Sequence, residues 1–181
     1  MVEGKSEEIE MTEIGGERNE AALEEGKFSA DMNLYLYESG SRHYYLPYWY
    51  STEYTVYDRR TKSLTPVVSK DGSTGLQFCE WVKNVALVYV SNNNIYWREK
   101  WNGDPESDIA ITTDGINGFV LNGILDWHYP KAYSDLLINE KATRLTWVQF
   151  NMSLMPMHHF PMYGEPENIL ENQYPKYKYR H

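Results

Sequence analysis

Few residue types in this chain are placed to do chemistry. The 181 residues contain one cysteine, Cys79, inside the run Gln77-Phe-Cys-Glu-Trp81. A nucleophilic thiol needs a base or cation that stabilises the thiolate, and none is spaced to reach Cys79. An apolar setting instead predicts a buried thiol that packs like a small hydrophobe. His158 and His159 are adjacent. On a strand, neighbouring side chains point to opposite faces, so one ion could not take both. No cysteine or carboxylate cluster completes a set of metal ligands, and no metal or cofactor is expected. Gly115-Ile-Asn-Gly118 lacks the third glycine of a dinucleotide fingerprint, and neither a phosphate-binding loop nor a Gly-x-Ser-x-Gly nucleophile elbow is present. Asn151-Met-Ser153 is a sequon for N-linked glycosylation, usable in a chain that enters the secretory pathway.

Composition narrows the partners. The formal net charge is -9, so the chain repels phosphate backbones and anionic membrane surfaces, and no nucleic-acid partner is expected. No apolar run is long enough to span a bilayer, and the acidic start is unlike a signal peptide. With a single cysteine, no intrachain disulfide can form. Aromatic residues make up 15%, a bias that suits the pleated surface of strands.

The elements that would position any site are strands. Leu34–Tyr37, Tyr54–Tyr57, Ala86–Val90, Asn94–Trp97, Asp108–Ile111 and Leu145–Val148 are short and rich in aromatic and β-branched residues. Between them stand turn pairs that can supply positive φ: Asp71-Gly72, Asn92-Asn93, Asn102-Gly103, Asp114-Gly115, Asn117-Gly118 and Asn122-Gly123. Residues 1–27 differ: they are rich in glutamate and lack aromatics. That stretch cannot bury enough apolar surface to offset its ordering entropy. We therefore read 1–27 as a disordered acidic tail and 28–181 as one all-β domain.

The domain carries an internal repeat. Phe28-Ser-Ala-Asp-Met-Asn leads into Leu34–Tyr37, Glu80-Trp-Val-Lys-Asn leads into Ala86–Tyr89, and Leu137-Ile-Asn-Glu-Lys leads into Arg144–Trp147. In each, a turn-forming tetrad precedes an apolar strand. A period on the order of 50 residues is that of a β-propeller blade. About three units fit, and the third is incomplete, whereas closed propellers typically have about 4–8 blades. The expectation is an incomplete β-propeller whose terminal blades expose a face and whose open edges can pair with a second copy or another chain.

The ordered elements resemble the propeller domain of the dipeptidyl peptidase IV family over roughly residues 28–180. Phe28-Ser-Ala-Asp31, Ser41-Arg-His-Tyr-Tyr45 and Tyr54-Thr-Val-Tyr-Asp58 are similar to the blade with the family's Arg-His-Ser-Tyr motif. Glu80-Trp81, Leu87–Val90 and Asn93–Tyr96 resemble the next blade. Val120-Leu-Asn-Gly-Ile-Leu-Asp-Trp127 resembles its Asn-Gly-Ile…Asp-Trp element. Thr146-Trp-Val-Gln-Phe-Asn151, Pro156 and Gln173-Tyr-Pro-Lys176 resemble its Gln-Phe-Asn…Gln-Tyr-Pro-Lys element.

The resemblance implies a serine exopeptidase that releases X-Pro or X-Ala dipeptides from peptide N-termini. Its triad lies in a separate α/β-hydrolase domain, of which these residues contain nothing. This chain is therefore expected to have no catalytic residue and no peptidase activity of its own. The resemblance makes Arg42 a substrate-binding residue, although alone it would read as a strand arginine whose stem covers aromatic surface. It also implies an acidic pair after Asp-Trp that holds the substrate's ammonium group. Here the chain reads Asp126-Trp-His-Tyr-Pro-Lys-Ala132, with Lys131 near that position. A cation there repels an ammonium by about 1–4 kcal/mol at short range. Partners implied are peptide substrates or, as in inactive family members, another protein. The family context implies the plasma membrane or secretory pathway, and Asn151 falls on a family sequon.

Overall fold

The computed structural model describes residues 26–40, 43–46, 49–83, 85–124, 136–139, 141–154, 157–161 and 176–180; of 43–46, 49–50, 157–161 and 176–180 it describes the backbone alone. Most of the acidic N-terminal stretch lies outside these residues. β1 (Lys27–Phe28) begins one residue ahead of the boundary read from composition.

The described residues are all-β, with one 3-10 turn at Pro105–Ser107. The first sheet is the antiparallel meander β1, β2 (Leu34–Glu38), β4 (Trp49–Asp58) and β5 (Ser63–Pro66). The long β4 also pairs with β3 (His43–Leu46) and β6 (Gly75–Leu76). The second sheet is a four-stranded meander of β7 (Phe78–Val82), β8 (Ala86–Ser91), β9 (Asn94–Arg98) and β10 (Ile109–Ala110). Its central turn is Asn92-Asn93, with φ of 49° and 61°. Two successive left-handed residues match a two-residue hairpin to the twist of its strands, and asparagine tolerates that conformation. The remaining strands form three two-stranded pairs: β11 (Val120–Asn122) with β14 (Gln149–Asn151), β12 (Leu136–Ile138) with β13 (Leu145–Trp147), and β15 (Met157–Pro161) with β16 (Lys176–Arg180). The sheets do not close into a ring. This is the expected incomplete propeller: two whole blades and part of a third.

Alternation assigns each face. Leu34 and Leu36 of β2 join Tyr54, Val56, Val67 and Leu76 in packing against Cys79, Leu87 and Tyr89 of the second sheet. From the other face of that sheet, Phe78, Val82, Ala86, Val88, Val90 and Ile95 pack against Leu121, Ile124 and Leu136 of the third unit. β8 is thus buried on both faces, which explains its unbroken apolar run. Cys79 sits inside the first seam, and burial pushes its thiol pKa up, so it stays protonated. The outer face of the first sheet departs from expectation. Tyr35, Tyr37 and Tyr57 lie there and are buried, with Tyr35 and Tyr37 stacked at 5.9 Å. Exposed apolar side chains stand on both units: Phe28 and Leu64, opposite Tyr35 and Tyr57, are 39% and 47% accessible, and Leu137 and Val148 of the third unit 74% and 46%.

A polar bolt crosses the first seam, and its chemistry was not read from the sequence. The Arg98 guanidinium pairs with Asp108, donating through Nη2 to Oδ2 at 2.6 Å and through Nε to Oδ1 at 2.9 Å. Tyr89 donates its hydroxyl to Asp108 Oδ2 at 2.6 Å and accepts from the Lys70 amide at 3.0 Å. Arg98 also donates to the Val68 carbonyl. Val68 and Lys70 follow the first sheet, while the other three residues belong to the second unit. Burial opposes the charge on Arg98, but bonding to Asp108 outweighs it and raises the pKa. Burial and the Asp108 bond push the Tyr89 phenol up.

Three strand readings are corrected. Glu80-Trp81-Val82 was read within a turn-forming tetrad but is the end of β7, because Cys79 and Trp81 fill one seam and Phe78 and Val82 the other. The segment Asp108–Ile111 pairs only at Ile109–Ala110, since Asp108 is turned inward to Arg98. Leu145–Val148 ends at Trp147, and β14 then pairs with β11 instead of β12. Positive φ is used at Gly72, Gly118 and Gly123 but not at Gly103 or Gly115.

Both side chains of the ion pair are almost fully buried, at 4% and 0% accessible. Removing one charge strands the other. Asp108→Asn is expected to lower stability by about 3–5 kcal/mol, and Tyr89→Phe by about 1–3 kcal/mol. Urea titration followed by tryptophan fluorescence checks both, and a smaller loss for Asp108→Asn than for Tyr89→Phe would refute the assignment.

Candidate functional site

Both residues or segments that the family resemblance marks for ligand binding lie outside the described residues. These are Arg42 and Asp126–Ala132. The structure defines the stems that carry them. Arg42 belongs to the connection from β2 to β3. Its stem is fastened to β4: the Ser39 and Gly40 amides both donate to the Glu53 carbonyl, at 2.8 and 3.4 Å, and Thr52 Oγ1 donates to the Gly40 carbonyl at 3.1 Å.

The segment 125–135 springs from Asn122-Gly123-Ile124, and here a buried amide network does the holding. Asn122 is fully buried. Its Nδ2 donates to the Asn93 carbonyl at 3.1 Å and to Asp114 Oδ1 at 3.0 Å. Gln149 Nε2 donates to Asn122 Oδ1 at 2.9 Å and to Asp114 Oδ2 at 2.8 Å. Gln77 clasps Asn93 twice, donating to its Oδ1 at 2.9 Å and accepting its amide at 2.7 Å. Asparagine is suited to this position because one side chain donates and accepts at once. Gly123 follows with φ +67°, where a Cβ would also come within 2.9 Å of the Leu136 side chain. Gly115 is required for a different reason: its Cβ would lie 2.4 Å from the Asn93 carbonyl oxygen.

A cleft lies where the first two units meet. It is about 390 Å³, and its described lining is Ser51, Ser73, Gly75, Gln77, Asn92, Asn93, Gly115 and Asn117. Ser51 adjoins the Thr52 that holds the Arg42 stem, and Asn93 holds Asn122. Neither stem is in the described lining, and the cleft opens at the end of the sheets where the β8–β9 turn lies. Sequence reasoning found Asn92-Asn93 and Asn122-Gly123 as turns but missed their joint role. The signal available was three amide residues, Gln77, Asn122 and Gln149, each standing at or beside a strand end.

Asn151, the sequon residue, is exposed at the end of β14. Ser153 donates to its Oδ1 from both Oγ, at 2.6 Å, and the amide, at 3.0 Å. His158 and His159 are consecutive in β15, opposite Tyr179 and Lys178. Among the described residues, no group of three His, Cys, Asp or Glu is gathered as metal ligands.

The model of the dipeptidyl peptidase IV N-terminal region matches residues 29–180. The chain belongs to the dipeptidyl peptidase IV family. It is 30% identical over 156 residues to dipeptidyl peptidase 4 of Bos taurus, covering 82% of this chain and 19% of that protein. It is 29% identical over 136 residues to inactive dipeptidyl peptidase 10 of Rattus norvegicus, covering 71% of this chain and 16% of that one. The crystal structure of Porphyromonas gingivalis dipeptidyl peptidase 4 superposes with a TM-score of 0.65 at 22% identity, over 86% of this chain and 21% of that one. The chain thus spans about a fifth of the length of these relatives. It is part of the propeller of a dipeptidyl peptidase IV-like protein.

The carboxyl of Asp114 is held below the usual range, first by its bond from Asn122 and then by that from Gln149. A depressed folded-state pKa contributes stability above the ordinary carboxylate range, and this is lost as pH falls through the folded value. Asp114→Asn is expected to flatten the loss of stability between about pH 5 and pH 2. Thermal melts of both proteins across that interval check it; parallel curves would show that the carboxylate does not brace Asn122.

Proposed function

We propose that this chain forms the substrate-facing wall of a dipeptidyl peptidase IV-type protein and has no catalytic residue of its own. The observation that carries this reading is the buried Asn122 network, which roots the segment after Asn-Gly-Ile. Arg42 is assigned to substrate contact, donating hydrogen bonds to a bound peptide. The cleavage of X-Pro or X-Ala dipeptides belongs, in this reading, to a hydrolase domain outside these residues, with residues 1–27 an acidic tail ahead of the propeller.

A second reading is favoured by one sequence observation. Tyr129-Pro-Lys-Ala132 stands where the family resemblance places an acidic pair, and one relative is named inactive. A chain with that substitution would act by binding a protein partner, with the plasma membrane or secretory pathway as its setting. Asn151, exposed and already bonded to its hydroxyl partner, is the residue assigned to carry a glycan there.

The purified chain should not hydrolyse glycyl-prolyl-p-nitroanilide; turnover blocked by a serine-directed inhibitor would overturn the assignment. Lys131→Glu should strengthen binding of a dipeptide with a free ammonium about tenfold, the effect of about 1.4 kcal/mol, and leave its N-acetylated form unchanged. Equal response of the two ligands in calorimetry would favour the partner reading. Expressed through a secretory system, the chain should lose mass on treatment with a peptide N-glycosidase, and Asn151→Gln should abolish that shift.

A further inference from the structure

We propose that Asn117-Gly118 is a site of spontaneous modification, at which asparagine converts to isoaspartate while the fold holds back the other Asn-Gly pairs of the chain. The inference stands apart from any substrate or partner.

The step is an internal acyl transfer in which nothing is oxidised or reduced. The Gly118 main-chain nitrogen loses its proton to hydroxide, attacks Asn117 Cγ and forms a new C–N bond. The Cγ–Nδ2 bond breaks, and ammonia leaves with a proton taken from water. Water then adds to one of the two carbonyl carbons of the cyclic imide. Opening on one side leaves aspartate; opening on the other leaves isoaspartate, whose main chain runs through the β-carbon. Asparagine is thermolabile for this reason. The step needs a following residue whose backbone can turn freely, a nitrogen not committed to a hydrogen bond, and access for water.

Five Asx-Gly pairs stand in the sequence, at 71–72, 102–103, 114–115, 117–118 and 122–123. In four of them the glycine N–H is engaged. Gly72 donates to the Ser69 carbonyl at 3.0 Å, Gly103 to the Lys100 carbonyl at 2.8 Å, Gly115 to Asn94 Oδ1 at 2.8 Å and Gly123 to the Val148 carbonyl at 3.0 Å. The Gly118 N–H has no acceptor among the described residues. The turn explains why. Phe119 and Val120 both donate to the Ile116 carbonyl at 2.9 Å, and a turn closed in that way leaves the peptide between its two central residues unbonded. Gly118 has φ +74°, and Asn117 is exposed between Ile116 and Phe119, which are 55% and 37% accessible.

The other two asparagines are natural controls. Asn102 is exposed like Asn117 and differs in the bond held by Gly103. Asn122 is buried, with both ends of its amide bonded. Conversion at 117 has two local effects. It sets a carboxylate among the groups lining the cleft. It also lengthens by one main-chain atom the turn that leads into Val120, the first residue of β11.

The test incubates the full chain in water enriched in oxygen-18, natively and in urea, and reads each Asn-Gly peptide by mass spectrometry after digestion. In the native chain Asn117 should take up the heavy oxygen at least about fivefold faster than Asn102, the effect of one hydrogen bond, and Asn122 should keep its amide. In urea the three should react at similar rates. An isoaspartyl carboxyl methyltransferase should methylate the aged native chain and leave aged Asn117→Gln largely unlabelled. Equal native rates at Asn102 and Asn117, an order of rates that persists in urea, or equal methylation of Asn117→Gln would overturn the proposal. Asn117→Asp carries the same charge without the longer main chain, so the aged chain should melt below it; equal melting would overturn the effect assigned to the turn before β11.

Discussion

A four-stranded sheet with two apolar faces cannot stand alone in water, and this chain is organised around that constraint. The second sheet satisfies it on both sides. Leu87 and Tyr89 face the first sheet, while Val88 and Val90, one residue on, face the third unit. The Arg98–Asp108 pair then fixes how the first two sheets meet. Its Coulombic gain is offset by desolvation, so its main effect is directional. Apolar faces can slide, but a guanidinium that must reach both Asp108 and the Val68 carbonyl permits one relative placement of the sheets.

That placement propagates to the site. The cleft takes Ser51, Ser73 and Gly75 from the first unit and Gln77, Asn92 and Asn93 from the second. A slip along the seam would separate the two halves of the lining. Burial at the seam and the shape of the cleft are thus one problem here: Lys70 of the bolt is followed by Asp71, which bonds Asn92 of the cleft.

Much of this was legible in the sequence, and the failures have physical causes. Period-two alternation gave β2, β4, β8 and β9, because those strands bury side chains on defined faces. The family elements held up over their whole length, since the matched region spans residues 29–180. Strand β7 escaped because Glu80 and Lys83 interrupt its hydrophobicity, and only the seams on both sides show why Phe78–Val82 extends. The ends of β10 and β13 escaped because one side chain, or one change of pairing partner, decides them. The bolt could not be read at all: Arg98 and Asp108 are ordinary strand-flanking charges until the topology buries them together. The same holds for the amide network, whose members are up to 72 positions apart in the chain, from Gln77 to Gln149.

The two outer faces have a consequence for assembly. Phe28 and Leu64 are open beside the tyrosines of the first sheet, and Leu137 and Val148 are open on the third unit. Two different apolar surfaces on one particle permit a head-to-tail contact as well as a two-fold one. A head-to-tail contact stops growing only if its rotation closes a ring.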